Sequence, residues 1–202
     1  MSKFYDNRFN LEHKSNNDQI EFDYDLSLSV ALNKNKSLDV FNPLLIKYEE
    51  GLYSSDPHLS KVAAEQLANL GFHSINVLTT ALKSDLDHVV INSANGIKQI
   101  GPNAKIAVFN LALLLQHKNK VCREASAATL GILKSIPSIS VFALASALGD
   151  EELTVRQYAS AALGEFDGHD LNYVLHDLQN SIYDEDKHVR IFVNYAIAKT
   201  GM

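Results

Sequence analysis

The stretch Cys122-Arg-Glu-Ala-Ser-Ala-Ala-Thr-Leu-Gly131 returns, with few changes, as Val155-Arg-Gln-Tyr-Ala-Ser-Ala-Ala-Leu-Gly164. In both copies a small apolar residue and an arginine precede small residues and a leucine at the spacing of one helix face. The same register starts again at Leu59, Val89 and Val189, so successive copies begin 30, 33, 33 and 34 residues apart. This period predicts a helical solenoid, because each helix pair buries its apolar face only against its neighbours.

Turn signals between the copies divide the chain into roughly ten helices in five antiparallel pairs. Asp56-Pro57 is typical of an N-cap followed by proline at the first helical position, and Gly101-Pro102 is typical of a helix end. The acidic run Asp150-Glu151-Glu152 is expected to cap the helix of the second copy. Residues 106–115 are apolar around nearly the whole helix, so we expect this helix in the middle of the stack.

The repeat pattern covers residues 38–202, and residues 1–37 precede it as an N-terminal arm. We therefore expect an all-α, right-handed α-solenoid of about five helical repeats behind this arm. The arm is rich in Asn, Asp, Lys and Ser, and its apolar residues follow no helical period, which is typical of a partly disordered segment. Aromatic residues such as Phe4, Tyr5 and Phe22 would also allow the arm to dock on the repeats or on a partner.

Composition restricts the class of protein. The chain has 202 residues, 46% of them hydrophobic, and contains no apolar run near 18 residues, so we expect a soluble protein with no membrane partner. The net charge of −6 and the lack of a Lys/Arg run argue against a nucleic-acid partner. A single cysteine excludes an internal disulfide, and the N-terminus lacks a signal-peptide pattern, so a cytoplasmic location is expected.

The face of the inner helices that lies opposite the core is expected to line the concave side of the solenoid. Many positions on this face are Ala, Ser or Gly, which would let a partner helix or a flat ring approach the backbone closely. The alternative is that these small residues serve tight packing between helices. The candidate binding residues are Glu65, Ile91, Asn95, Glu124, Arg156, Gln157, Tyr158, Arg190, Ile191, Asn194 and Tyr195.

Three arginines, Arg123, Arg156 and Arg190, occupy one repeat position. One interpretation makes them a ladder for carboxylate ligands, because the guanidinium group matches carboxylate geometry. The other pairs each arginine with acidic turn residues of a neighbouring repeat, such as Asp150 or Asp184. Recurrence at a fixed repeat position favours the second interpretation.

No catalytic constellation is visible. Cys122 is the single thiol and takes a position that Leu or Val fills in the other copies, so we expect it to be buried and inert. His58, His88 and His188 fall at helix starts a repeat or more apart, too distant for one zinc site, and no metal site is predicted. No nucleophile elbow, phosphate loop, CxxC or His-Glu step is present, so catalytic residues remain unassigned.

The Asp-turn-Val-Arg-Ala-Ala-Leu-Gly pattern resembles HEAT-like repeats, and among these it is most similar to the short repeats of the phycobilisome lyase family. Residues 59–71, 122–131 and 155–164 carry the resemblance most clearly, and it covers about residues 40–201. The resemblance implies a protein, often one of two paired subunits, that holds a phycobiliprotein subunit while a linear tetrapyrrole (bilin) is attached to a Cys of that substrate.

On this reading the chain has no intrinsic cofactor, contacts the bilin only transiently, and acts as a lyase subunit or as a chaperone for chromophore attachment. The arginine ladder would then meet the propionate carboxylates of the tetrapyrrole, with Tyr158, Tyr195, Arg156 and Arg190 converging at the C-terminal end. The alternative is a non-catalytic HEAT-repeat scaffold for protein–protein interaction that is unrelated to bilins. Helical repeats alone do not distinguish these functions, because many unrelated proteins use the same unit.

Overall fold

The computed structural model describes residues 42–201, and the helical unit begins at Asn42. The predicted arm at residues 1–37, and positions 38–41 of the predicted solenoid, lie outside the described residues. Regular structure in the described part of the chain consists of helices and short 3-10 segments. None of these helices is both long and apolar enough to cross a membrane.

Eleven α-helices follow one another in the described residues, several of them preceded by a short 3-10 segment. They are α1 Pro43–Leu52, α2 Pro57–Asn69, α3 Ile75–Ala81, α4 Asp87–Ile100, α5 Val108–Leu114, α6 Lys120–Leu133, α7 Pro137–Ala147, α8 Leu153–Leu163, α9 Gly168–Leu171, α10 Leu175–Ser181 and α11 Lys187–Lys199. The 3-10 segments Gly71–Ser74, Gly101–Ala107 and Asn172–Val174 lead into α3, α5 and α10.

The helices form two layers. Helices α2, α4, α6, α8 and α11 pack side by side as an inner layer, and α1, α3, α5, α7 and α10 form the outer layer. Each outer helix packs against the inner helix that follows it in the chain. The predicted all-α solenoid of about five helical pairs is therefore confirmed.

A leucine at one position of the outer helices α3, α5, α7 and α10 shows how the stack is held together. Leu78, Leu111, Leu144 and Leu178 are spaced by 33, 33 and 34 residues, and all four are fully buried. Burial of one leucine side chain contributes about 1.5–3 kcal/mol. The sequence period is thus the period at which one hydrophobic core is continued from repeat to repeat.

Helix starts follow the sequence signals at most turns. Asp56 accepts the backbone N–H of His58 at 2.8 Å, and Pro57 occupies the first helical position of α2. Asn119 and Asp186 cap α6 and α11 in the same way. The acidic run before α8 supplies its N-cap residue, Glu152, whose side chain makes no capping hydrogen bond. Asp150 accepts the backbone N–H of Glu152 at 2.9 Å and is also held by an arginine of the preceding repeat.

The apolar segment 106–115 is only partly buried. It begins within the 3-10 segment Gly101–Ala107 and continues as the short helix α5. Leu111 is fully buried, whereas Ile106, Phe109 and Leu113 are each more than half exposed. The helix lies in the central repeat, as expected, but the outer layer is covered on one side only, so its other side faces solvent.

Candidate binding surface

One edge of the inner layer is open to solvent along the whole described stack, and we call it the inner-layer surface. Its exposed members lie on one side of each inner helix, and the neighbouring helices leave this side uncovered. They are Glu65 and Asn69 on α2, Asn95 and Gln99 on α4, Val121 and Ile132 on α6, Tyr158 and Glu165 at α8, and Ile191 and Tyr195 on α11.

The predicted binding residues divide into three groups by burial. Exposed are Glu65, Asn95, Tyr158, Ile191, Asn194 and Tyr195; half-buried are Ile91, Glu124, Gln157 and Arg190; buried is Arg156. The division arises because the face that the sequence predicts to be exposed is rotated about the helix axis from the face that is exposed in the structure. Successive inner helices contact one another through part of the face that was assigned to solvent.

The small residues on that face lie in the contacts between helices. A Cβ atom added at Gly131 would lie 2.8 Å from the Cβ of Ala162 on the next inner helix. A Cβ atom at Gly164 would lie 3.1 Å from the ring of Tyr195. Gly131 and Gly164 therefore lie where α6, α8 and α11 approach one another closely. At these positions the small residues serve packing between helices, as the alternative interpretation predicts.

The N-terminal half of the inner-layer surface is polar. A groove of about 410 Å³ between α2 and α4 is lined by Lys61, Ala64, Glu65, Asn92, Asn95, Gly96 and Gln99. Its amides already bond across the repeat: Asn92 donates to the Ser60 hydroxyl at 3.1 Å, and Gln99 donates to the Asn69 side chain at 3.0 Å. This half therefore offers hydrogen-bonding groups and one charge of each sign.

The C-terminal half of the inner-layer surface is apolar and aromatic. Its exposed apolar side chains are Val121, Ile132, Tyr158, Ile191, Phe192 and Tyr195. Glu165 at the end of α8 is also exposed, and its charge is paired with Lys134 at 2.7 Å. The ammonium group of Lys199 lies 5.7 Å from the centroid of the Tyr195 ring, so the ring faces a cation as well as solvent. Apolar side chains at this density suit a partner that brings its own apolar face or a flat conjugated ring.

Arg123 and Arg156 are bound into the scaffold. The Nε of Arg123 donates to Asp150 at 2.7 Å, and the Nε of Arg156 donates to Asp184 at 2.8 Å; each acid belongs to the turn of the following repeat. Glu185 takes a further hydrogen bond from Arg156 at 2.9 Å. The pairing interpretation is thus what the structure shows for these two arginines.

The acids also hold both guanidinium groups in their charged form. The hydrogen bond that Arg123 donates to Asp150 raises the pKa of the arginine, although burial lowers it. Burial lowers the pKa of Arg156, but the hydrogen bonds and charges of Asp184 and Glu185 outweigh it, and the pKa is raised. A carboxylate ligand would have to displace these acids to reach Arg156.

Cys122 lies in a cluster that the sequence analysis did not identify. Its Sγ, a carboxylate oxygen of Asp87 and a ring nitrogen of His117 lie within 4.8 Å of one another. Two of these groups already have partners in the turn: the Nδ1 of His117 accepts the backbone N–H of Asn119 at 3.1 Å, and Asp87 accepts the side-chain N–H of Asn119 at 2.7 Å. The Nε2 of His117 lies 3.8 Å from the other carboxylate oxygen of Asp87. The turn hydrogen bond from Asn119 to the Nδ1 thus orients the ring so that its Nε2 faces Asp87.

The Cys122 thiol itself is fully buried, as expected from its repeat position. Burial and the nearby charge of Asp87 raise the pKa of Cys122 to about 11. At neutral pH the group is therefore a protonated thiol, and a protonated thiol is a poor nucleophile and a poor metal ligand. Spacing along the sequence could not reveal this cluster, because Asp87 and Cys122 come from successive repeats.

Comparison with known proteins identifies relatives in fold. No protein-family model matches the sequence, and no curated protein matches it. The complex of CpcE and CpcF of phycocyanin lyase from Nostoc sp. PCC7120 is similar, with a TM-score of 0.59 and 19% sequence identity; the match covers 75% of this chain and 96% of that chain.

Two engineered proteins are similar at 20% identity. One has a TM-score of 0.61, with 79% of both chains covered; the other has a TM-score of 0.58, with 78% of this chain and 48% of that chain covered. These similarities confirm, at the level of the fold, the resemblance to HEAT-like repeat proteins that include phycocyanin lyase subunits.

Proposed function

We propose that this chain is a HEAT-repeat protein that binds a phycobiliprotein subunit and assists the attachment of a bilin to a Cys of that substrate, as a bilin lyase subunit or as a chaperone. The observation that carries the proposal is the fold shared with the CpcE–CpcF complex of phycocyanin lyase. That complex contains two different chains, so we include a second helical-repeat subunit among the proposed partners.

The aromatic half of the inner-layer surface supports this proposal. Tyr158 and Tyr195 are both about half exposed, and Ile191 and Phe192 are exposed on the same helix as Tyr195. A linear tetrapyrrole is a flat conjugated molecule, and aromatic and branched aliphatic side chains bind such faces by burying apolar area. Arg156 is withdrawn from the proposed contacts because its N–H groups are bound to Asp184 and Glu185.

The buried thiol is consistent with a reaction whose nucleophile comes from the substrate. Cys122 is the single cysteine of the sequence, and its raised pKa keeps it protonated. A protein of this kind would accelerate attachment mainly by holding the substrate Cys and the bilin in a reactive geometry. We therefore place the proposed contribution of this chain in positioning.

Co-expression in a bilin-producing host tests the proposal. The chain is expressed with a phycobiliprotein subunit, with and without a second helical-repeat subunit, and covalent bilin on the substrate is measured by absorbance after denaturation. Covalent colour that depends on this chain supports a lyase subunit, and co-purification without colour supports a chaperone. If the substrate neither co-purifies nor gains colour, the bilin proposal is wrong and the scaffold alternative takes its place.

A pair of substitutions assigns the surface. Tyr158→Ala combined with Tyr195→Ala removes two exposed rings from the aromatic half, and we expect at least a tenfold loss of attached bilin or of substrate binding. Tyr173→Ala is the matched control, since Tyr173 is two-thirds exposed and precedes the outer-layer helix α10. Equal activity of the double variant and the control would remove this surface from the proposal.

A further inference from the structure

Arg190 occupies the repeat position of Arg123 and Arg156 and is held in the same way by its own turn. Its Nη1 donates to the backbone carbonyls of Asp184 and Glu185, at 2.6 and 2.9 Å. The Nη1 of Arg156 makes the same pair of bonds with its own turn, at 2.9 and 3.3 Å. The orientation of the Arg190 guanidinium is therefore set by the backbone, as in the two internal repeats.

The other side of the Arg190 guanidinium lacks the bonds that the internal arginines make. The Nε and Nη2 of Arg123 both donate to Asp150, at 2.7 and 2.9 Å, and those of Arg156 donate to Asp184 and Glu185. Within residues 42–201 no carboxylate meets the Nε or Nη2 of Arg190. The arginine presents two aligned donors at the place where the following repeat would supply an acid.

The helix face beside Arg190 is exposed where its counterpart is covered. On α8, Ser160 and Gly164 are buried and Gln157 and Ala161 are half-buried, in part because α11 packs there. The residues 34 positions later are all exposed, and they are Ile191, Asn194, Tyr195 and Ala198. No helix in the described part of the chain covers this face of α11.

We propose that Arg190 and the exposed α11 face dock a helical repeat of a partner protein whose turn carries an Asp-Glu pair ahead of its inner helix. The acid would accept the Nε and Nη2 of Arg190, as Asp184 and Glu185 accept those of Arg156, and the partner helix would cover Ile191 and Tyr195. The inference is independent of the bilin proposal, because it rests on the geometry of the repeats alone.

A second copy of this chain lacks the required Asp-Glu pair at its first described turn. Ser54 there corresponds to Asp150, since each accepts the backbone N–H two residues later, at 3.1 and 2.9 Å. Ser55 follows it where the turns before α8 and α11 have Glu151 and Glu185. Hydroxyl groups in place of carboxylates give Arg190 no counter-charge, so we assign the face to a different protein.

The test extends the full chain by one repeat. Residues 168–201, which carry the Asp184-Glu185 turn, are appended directly after Gly201, so that the 34-residue period continues. We expect Arg190→Ala to lower the melting temperature of the extended chain by several °C, close to the loss caused by Arg156→Ala, and to change that of the original chain by less than 1 °C. The matched control changes the terminal arginine of the appended repeat to Ala, and we expect no loss.

A charge reversal distinguishes docking from a merely structural effect. Arg190→Glu in the extended chain should lower the melting temperature, and Asp184→Arg in the appended repeat should restore at least half of that loss. Circular dichroism measures whether the appended repeat is helical.

Two outcomes would overturn the proposal. The first is an extended chain that gains no helix or is insensitive to Arg190→Ala. The second is self-association of the original chain in analytical ultracentrifugation that Arg190→Glu abolishes, because the occupant would then be a second copy. The failure of the bilin experiment would affect neither readout.

Discussion

Helices α8 and α11 carry the same repeat pattern, yet their surroundings differ. The guanidinium of Arg156 on α8 is buried and paired with two acids of the following repeat, whereas that of Arg190 on α11 bonds, among residues 42–201, only to carbonyls of its own turn. Gly164 at the end of α8 is buried, while its counterpart Ala198 on α11 is exposed. One sequence motif therefore forms a closed internal contact on α8 and leaves an open face on α11.

The contrast shows what the repeat position encodes. Both arginines are oriented by backbone carbonyls of their own turn. This half of the contact is therefore formed within a single repeat wherever the motif occurs. The ion pair is completed only by the neighbouring repeat, because the acids come 28 and 29 residues later in the chain. In a solenoid, stability is largely the sum of such nearest-neighbour contacts.

The largest expected effect is the loss of an internal ion pair. Arg156→Ala leaves the carboxylate of Asp184, which is nearly buried, without its counter-charge. Removing one partner of a buried pair costs about 3–5 kcal/mol, and we expect a loss of that order in the free energy of unfolding by urea. Arg190→Ala is the control on α11. A similar loss for both variants would mean that Arg156 and Arg190 contribute equally to stability, and it would contradict the difference between α8 and α11.

Gly131→Ala tests the closed contact between α6 and α8. The added methyl group would lie 2.8 Å from the Cβ and 3.0 Å from the Cα of Ala162, so one of the two helices must move. Overpacking of this kind costs about 1–3 kcal/mol. Gly164→Ala is expected to cost less, because the atoms in its way belong largely to the half-exposed Tyr195 ring, which can turn aside. Thermal unfolding of both variants measures which of them loses more stability.

The contribution of the Cys122 thiol to the stability of the fold should decrease as the pH rises. The pKa of Cys122 rises from an ordinary value near 9.0 to about 11 in the folded protein. The protonated thiol therefore stabilises the fold fully below pH 9, and this contribution is lost as pH rises toward 11, because the unfolded chain ionises first. Cys122→Ala should remove this part of the pH dependence, and native iodoacetamide labelling should stay slow below pH 9.

The smallest effect on stability is expected on the open face of α11. Ile191 is about half exposed, and Ile191→Ser should change the free energy of unfolding by less than about 0.5 kcal/mol. Ile97→Ala, at a fully buried position of α4, should cost about 2–5 kcal/mol in the same urea titration. A large loss at Ile191 would show that this face is already covered in the native protein.

Much of the fold followed from local signals. The period of 30–34 residues predicted the number of helix pairs, and Asp56-Pro57 and Gly101-Pro102 predicted where helices start and end. The pairing of Arg123 and Arg156 with turn acids followed from their recurrence at one position. The period and the arginine position recur in the sequence, so an error in a single copy is corrected by the others.

The candidate site was less accessible to sequence reasoning. A helical wheel places Gly131 and Gly164 opposite the core, but it does not show that the next inner helix approaches from that side. The exposed stripe is therefore rotated from the predicted one, and Ile132 and Phe192 enter it unexpectedly. The cluster of Asp87, His117 and Cys122 has no sequence signature, since a turn and two helices bring it together.

By itself, the sequence determined the helices, their period, their caps and the residues that form the shared core, because these depend on contacts within one repeat or on spacing that every repeat shares. Only the tertiary structure decided which arginine is paired, which small residue is a contact and which face stays open. Those outcomes depend on whether a neighbouring repeat is present at each place, and a repeat motif is the same whether its neighbour is there or not.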